Sequence, residues 1–213
     1  REQTMKNLLQ STTQLAQAIW EHYVTPQLAS GAYVAVDATC GRGNDTVWLA
    51  ERCARVYAFD IQPEAIAATR KALQAAGVCS IREISHAAGV GDASAAAPAV
   101  TLIEDSHANL GTYIREPIGL IVLNLGYLPG GDKDRTTTAA SILTALQAAA
   151  DRLAVGSLLS VTMYWGHEAG KAEREAVLSW AAKLDRGIYH CVHTDMLNQP
   201  NCPPEILFVT RKR

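Results

Sequence analysis

The amino-acid sequence predicts an α/β fold, a doubly wound and mostly parallel sheet of seven strands with a helix ahead of it. Three observations carry that prediction. Short apolar segments alternate with longer helical patterns from residue 33 onward, as repeated strand-helix units require. Gly119-Leu120-Ile121-Val122-Leu123-Asn124 is a continuous apolar run, as expected of a parallel strand covered on both faces. Asp37, Asp60, Asp105 and Asn124 stand at or just after the ends of four successive predicted strands. Ligands of open α/β sheets bind at that edge.

In chain order, Leu8, Leu15, Ile19 and Tyr23 recur at helical spacing and predict an amphipathic helix over 4–24, ended by Pro26. A strand at 33–38 leads into a helix that Asn44 or Asp45 can cap and that runs to about Glu51. A second strand follows at 55–60. Pro63 opens an alanine-rich helix that reaches Ala76 and stops at Gly77. Residues 84–98 are small and aperiodic and read as a flexible loop insertion. Then come a strand at 99–104, a short helix from Ser106, the strand at 119–124, a helix over 136–152 and a strand at 157–163. A helix over 168–183 and two strands at 187–194 and 205–211 complete the pattern.

The chain has 213 residues, 48% of them hydrophobic, which suits one core and one domain over 1–213. The net charge of −2 argues against a broadly basic face, so a nucleic-acid partner would have to be held locally. Lys133 with Arg135, the group Lys171, Arg174 and Lys183, and Arg211-Lys212-Arg213 are the candidate patches. Five cysteines without a Cys-x-x-Cys pair point to a reducing compartment and no zinc or other metal site. No run of about 18 apolar residues and no leader pattern is visible, so no membrane partner is expected. The expected location is cytoplasmic, or organellar if a leader was removed ahead of Arg1. A homodimer is compatible with the sequence, which leaves the oligomeric state open.

The chemistry begins in Val34-Ala35-Val36-Asp37-Ala38-Thr39-Cys40-Gly41-Arg42-Gly43-Asn44-Asp45-Thr46, a strand, a glycine turn and a helix start. Its glycines let the backbone approach a nucleoside-bearing cofactor, and Asp60 beyond the next strand can accept both hydroxyls of a ribose. The dinucleotide version wants a third glycine where this chain has Thr46. An acid at Asp37 suits the ammonium of a methionine moiety better than a diphosphate. The balance favours S-adenosylmethionine over a nicotinamide on a Rossmann-like scaffold.

The second motif is Asn124-Leu125-Gly126-Tyr127-Leu128-Pro129-Gly130-Gly131-Asp132-Lys133. Methyl transfer from a sulfonium is an in-line displacement, so the acceptor's lone pair must be aimed. The Asn124 oxygen and the following carbonyls can do this for an amine, while Tyr127 can stack on a base. His167 and Tyr164 are candidates to receive a proton, though His167 reads equally well as a capping histidine. His190 and His193 point to opposite strand faces and make poor metal ligands. Asn198, Gln199 and Asn201 read as either a plain hairpin connection or a polar turn that contacts RNA.

These two motifs, with Tyr164-Trp165-Gly166-His167, Gly170-Lys171, Glu173 and Asn198-Gln199-Pro200-Asn201-Cys202-Pro203-Pro204, resemble the YtqB-like rRNA methylase family from about residue 11 to the C-terminus. The resemblance implies a methyltransferase that uses S-adenosylmethionine to N-methylate the 5-aminomethyl group of the modified wobble uridine of tRNA, the MnmM-type reaction. It implies cofactor contacts at Asp37, Gly41, Gly43, Asp45, Asp60 and Asp105-Ser106-His107, where Ser106 replaces the family's usual glycine. Asn44, Ile61 and Asn124 are further expected cofactor contacts. Asn124, Tyr127 and His167 are the catalytic candidates. Tyr127, Gly130, Lys133, Arg135, Tyr164, Lys171, Asn198, Gln199 and Asn201 are expected to hold the anticodon region. Methylation of rRNA or a small amine is the alternative within the same activity; a nicotinamide-dependent oxidoreductase and a binding module that keeps the fold without turnover are rivals of other classes.

Overall fold

The computed structural model describes residue 9 and residues 11–85, 99–126 and 139–213. Helices α1 (Thr12–Tyr23) and α2 (Pro26–Ser30) precede β1 (Val34–Asp37), α3 (Asn44–Ala50), β2 (Val56–Asp60) and α4 (Pro63–Ala75). Strands β3 (Ile81–Ser85) and β4 (Val100–Glu104), a 3-10 turn at His107–Asn109 and α5 (Leu110–Tyr113) follow. The remainder is β5 (Ile118–Leu125), α6 (Ala139–Arg152), β6 (Leu153–Met163), α7 (Glu168–Lys183), β7 (Tyr189–Thr194) and β8 (Glu205–Arg211).

The sheet runs β3-β4-β2-β1-β5-β6-β8-β7, parallel except where β8 pairs with β6 and β7. Among the described residues it has eight strands, one more than the sequence pattern predicts. The additional one is β3, parallel to β4 at the sheet's edge. Its residues are only partly buried or exposed, so Ile81-Arg82-Glu83-Ile84-Ser85 lacks the apolar run that marks the interior strands. The predicted loop insertion therefore cannot start at residue 84; its remainder, 86–98, lies outside the described residues.

The first helix, predicted over 4–24, begins only at Thr12, because Ser11 is extended and its side chain caps the helix through Gln14 N. Three further boundaries differ. Strand β6 begins at Leu153, which pairs with Ile118, before the chain passes through Gly156 at φ +76°. Pro26 ends the first helix and opens a second, because the missing N–H of proline is harmless at a helix start. At α3 the N-cap is Gly43 in the left-handed region at φ +83° and no side chain caps the helix, so neither Asn44 nor Asp45 has that role. Both lie inside the first turn.

The sheet is covered on both faces. Ile142, Leu146 and Ala149 of α6, with Val177 of α7, pack on one face against Val34, Val36, Ile121, Leu123 and Val161. Ala16 and Trp20 of α1, Leu28 of α2, Leu49 of α3 and Leu73 of α4 cover the other, against Ala35, Ala58, Leu102, Leu120 and Val122. Alternate residues of one strand thus serve opposite cores, which is why all four residues of β1 are buried. On α1 the deepest residues are Ala16 and Trp20, while Leu15, Ile19 and Tyr23 of the predicted stripe are only partly buried.

Gly119 lets α2 close onto the sheet. A Cβ there would lie 2.9 Å from Leu28 Cγ and 3.2 Å from Tyr33 Cβ. Gly119→Ala should therefore lower stability by ~1–3 kcal/mol through overpacking, read as a shift of the denaturation midpoint; an unchanged midpoint would show that α2 yields freely.

Candidate active site at the carboxyl edge of the sheet

The turn after β1 is a backbone construction. Cys40 N donates to Phe59 O at 2.8 Å and Gly43 N to Cys40 O at 2.7 Å, while Gly41 and Gly43 take φ values of +50° and +83°. At Gly43 a Cβ would stand 2.8 Å from Thr69 Cα, so the glycine is needed for close helix packing as well as for its φ. Gly41 N donates to Asp60 Oδ2 at 3.1 Å, and Gln62 N donates to Oδ1 at 3.0 Å. The ribose-type acceptor expected at Asp60 is thus held rigidly across the turn, with burial pushing its carboxyl above the ordinary range.

Asp37 plays a different part from the one expected of it. It is fully buried and does not line the cavity beyond the turn. Its Oδ1 accepts from Thr39 N at 3.2 Å and its Oδ2 from the Thr46 hydroxyl at 2.6 Å. Thr46, standing where a dinucleotide fold has its third glycine, is the tie between the strand end and α3. Burial first, then the charge of Asp45, pushes the Asp37 carboxyl up to about 7, against the opposing hydrogen bonds from Thr46 and Thr39.

Asn124, near the end of β5, is oriented at both ends. Its backbone N donates to Thr39 Oγ1 at 2.7 Å and its side-chain Nδ2 to Asp45 Oδ2 at 2.7 Å. Since an ionised carboxylate only accepts, the amide nitrogen must face Asp45, which leaves Oδ1 as the remaining acceptor. Asp45 is also hydrogen-bonded by the Gln17 side chain from α1, and burial raises its carboxyl.

These groups open into a cavity of about 780 Å³. Of the predicted residues, Gly41, Asn44, Asp45, Asp60, Ile61, His107, Asn124, Tyr164 and His167 line it. Gly43, Asp105 and Ser106 do not. The Asp105 carboxylate accepts from Ser106 N at 2.7 Å, Asn109 Nδ2 at 3.0 Å and the Tyr113 hydroxyl at 2.7 Å, while Ser106 Oγ caps the following turn through Ala108 N at 3.2 Å. Both shape the segment that carries His107. That ring is buried and neutral-favouring, hydrogen-bonded to the Ala38 backbone, with Nε2 buried and without a partner among the described residues. A buried orphan nitrogen on a cavity wall is suited to a polar ligand edge.

The expected RNA-side residues divide. Tyr127, Gly130, Lys133 and Arg135 lie outside the described residues. Lys171 pairs with Glu168 at 3.2 Å on the surface, and Asn198, Gln199 and Asn201 are exposed in the connection before β8 without lining the cavity. That connection instead contributes Cys202 and Pro204. Arg174 is engaged rather than offered as a patch: its Nε donates to buried Glu205 at 2.7 Å and its guanidinium sits 5.2 Å from the Trp165 ring centroid. His193 Nε2 contacts the same Glu205 oxygen at 2.6 Å.

One wall escaped the sequence pattern. Thr13, Ala16, Gln17 and Trp20 of α1 line the cavity, with Thr39, Gln62 and Thr162. Their spacing of three and four places them on one helical stripe, but Trp20 alone is large enough to attract notice. Its Nε1 is also buried without a partner among the described residues. Among these residues no cluster of three His, Cys, Asp or Glu could hold a metal ion, and no helix is long and apolar enough to cross a membrane.

The raised Asp37 carboxyl has a consequence for stability. Between the ordinary carboxylate range and about pH 7 the folded chain keeps a proton that the unfolded chain has released, so this group makes stability fall as pH rises through that window. Asp37→Asn keeps the shape and should flatten that slope and raise the melting temperature at pH 8 relative to the parent. A parallel slope in both proteins, followed by thermal denaturation, would refute the assignment.

Comparison with known proteins places this geometry. Residues 56–210 match the family described as "Putative rRNA methylase". A "tRNA (mnm(5)s(2)U34)-methyltransferase, chloroplastic" of Arabidopsis thaliana is 32% identical over 94% of this chain and 69% of its own length. The crystal structure of a "putative rRNA-methylase" from Clostridium thermocellum superposes with a TM-score of 0.81 at 32% identity, over 94% of this chain and 97% of that one. A "putative methyltransferase" from Streptococcus mutans, crystallised in complex with SAH, gives 0.71 at 34% identity over 84% and 88%. With the glycine turn, the Asp60 acceptor and the Asn124 edge all in one cavity, the chain belongs to this rRNA methylase family of Rossmann-like methyltransferases.

Proposed function

We propose that this chain is an S-adenosylmethionine-dependent methyltransferase that N-methylates the 5-aminomethyl group of the wobble uridine, U34, of tRNA, giving 5-methylaminomethyl-2-thiouridine. The observation that carries the reading is Asn124, whose amide nitrogen is committed to Asp45 and whose oxygen remains to accept from a neutral donor such as an amine. The name of the Arabidopsis relative supports the same acceptor. The family's description makes rRNA the second reading.

The residues fit the cofactor. Asp60, fixed by Gly41 N and Gln62 N, offers acceptors for ribose hydroxyls, and His107 Nε2 offers a buried nitrogen to a base edge. When bound, the cofactor supplies a methyl carbon activated by its sulfonium. The chain's first contribution is positional: α1, Tyr164 and His167 line the cavity, and Asn124 orients the acceptor within it. Burial raises the Tyr164 hydroxyl, with a further push from Asp45, so Tyr164 stays protonated and able to donate. The partner is the anticodon region of tRNA. The compartment is the cytoplasm or, as for the chloroplastic relative, an organelle.

The test is transfer of labelled methyl to tRNA carrying the unmethylated 5-aminomethyl group, followed by nucleoside mass spectrometry. A gain of one methyl on that uridine is expected; no gain there with label appearing in rRNA would replace this reading by the second. Asp60→Ala should weaken cofactor affinity by about 10- to 100-fold, since it deletes charge-assisted acceptors. Asn124→Ala should leave affinity within a few-fold and slow transfer by ~100-fold. Equal loss of cofactor affinity in the two variants would refute that division.

A further inference from the structure

Asp45 is a carboxylate placed for more than holding the turn. It lies in the first turn of α3, lines the cavity, and is hydrogen-bonded by two neutral side-chain amides, Nδ2 of Asn124 at 2.7 Å and that of Gln17. Neither amide can neutralise its charge, and each leaves lone pairs on the carboxylate uncommitted. Asp37 and Tyr164 both lie close enough to feel its charge. Asp60, His107, Arg42 and His167 are the other ionisable side chains along the same walls, with Cys40 and Cys202.

We propose that Asp45 receives the proton of the acceptor's primary ammonium, beside Asn124, and so frees the lone pair that is methylated. The inference rests on the amine-acceptor reading and deepens it. An alkyl amine arrives protonated and cannot attack in that form. Drawn in beside a carboxylate partly removed from water, the ion pair collapses to a neutral acid and a neutral amine, because burial disfavours both charges. One N–H bond breaks and its electron pair stays on nitrogen; one O–H bond forms on Asp45. Asn124 Oδ1 accepts one of the two remaining N–H groups and aims the pair. After transfer the product is a secondary ammonium, and Asp45 returns its proton to solvent. The Asp45 carboxyl is shifted upward by burial, in the direction that strengthens it as a base.

The experiment compares parent and Asp45→Asn in two measurements: affinity for S-adenosylhomocysteine by calorimetry, and single-turnover methylation of 5-aminomethyl tRNA from pH 6 to 10. Asparagine keeps a hydrogen-bonding amide but cannot take the proton. The expected result is affinity within about threefold, a loss of ~10²–10⁴-fold in transfer at pH 7, and recovery of about tenfold per pH unit as solvent deprotonates the amine. Affinity falling in step with transfer would overturn the proposal by assigning Asp45 to the cofactor's own ammonium. A loss equal at every pH would overturn it in favour of a purely structural role. A parent that binds the cofactor product yet methylates no tRNA would remove the amine acceptor itself, and both readings would fall together.

Discussion

The buried carboxylate of Asp37 is the interaction on which the site is built. It ends β1, and its two oxygens hold the backbone of Thr39 and the hydroxyl of Thr46, joining the strand end to the first turn of α3. Thr39 passes the connection onward, because its own hydroxyl oxygen accepts from Asn124 N at 2.7 Å on the neighbouring β5. One acid thereby sets the spacing of a strand, a turn, a helix and a second strand. An unpaired charge in so buried a place would be costly, and the hydrogen bonds and raised protonation are how the fold accommodates it. With the turn so held, Gly41 N can meet Asp60 and the Asp45 carboxylate can meet Asn124.

The far wall depends on a second buried acid. Glu205, 1% exposed at the start of β8, gathers Arg174 from α7 and His193 from β7. Arg174 also lies over Trp165, whose Nε1 donates to Pro203 O at 3.0 Å. The cluster thus fixes Tyr164 to His167 against Cys202 to Pro204, two segments that share the lining of the cavity with α1. Thr12 Oγ1 closes the ring by donating to Pro204 O at 3.2 Å. A charged pair of this kind contributes chiefly geometry, since its desolvation offsets much of its attraction.

Both anchors act at the carboxyl edge because the fold leaves that edge open. The sheet's faces are filled by α1 to α4 on one side and α5 to α7 on the other, so only the strand ends and the loops beyond them remain for a ligand. The first helix is the exception that completes the enclosure, reaching past the sheet with Gln17 and Trp20.

Local pattern was enough for the parallel interior strands, the glycine turn and the polar strand ends, because an apolar run and a glycine beside an acid carry their meaning within a few residues. That much, with the Thr46 signal against a dinucleotide, the sequence determined by itself. It could not place β3, whose half-exposed edge position permits a polar sequence, nor the wall made by α1, whose residues matter only once the helix is laid against β6 and β8. The division between Asp37 and Asp45 was also beyond it. Both are acids flanking one turn, and only the packing of Thr46 beneath the strand end decides that the first is enclosed and the second faces the cavity. Burial and orientation are properties of neighbours distant in sequence, and these the tertiary structure alone supplies.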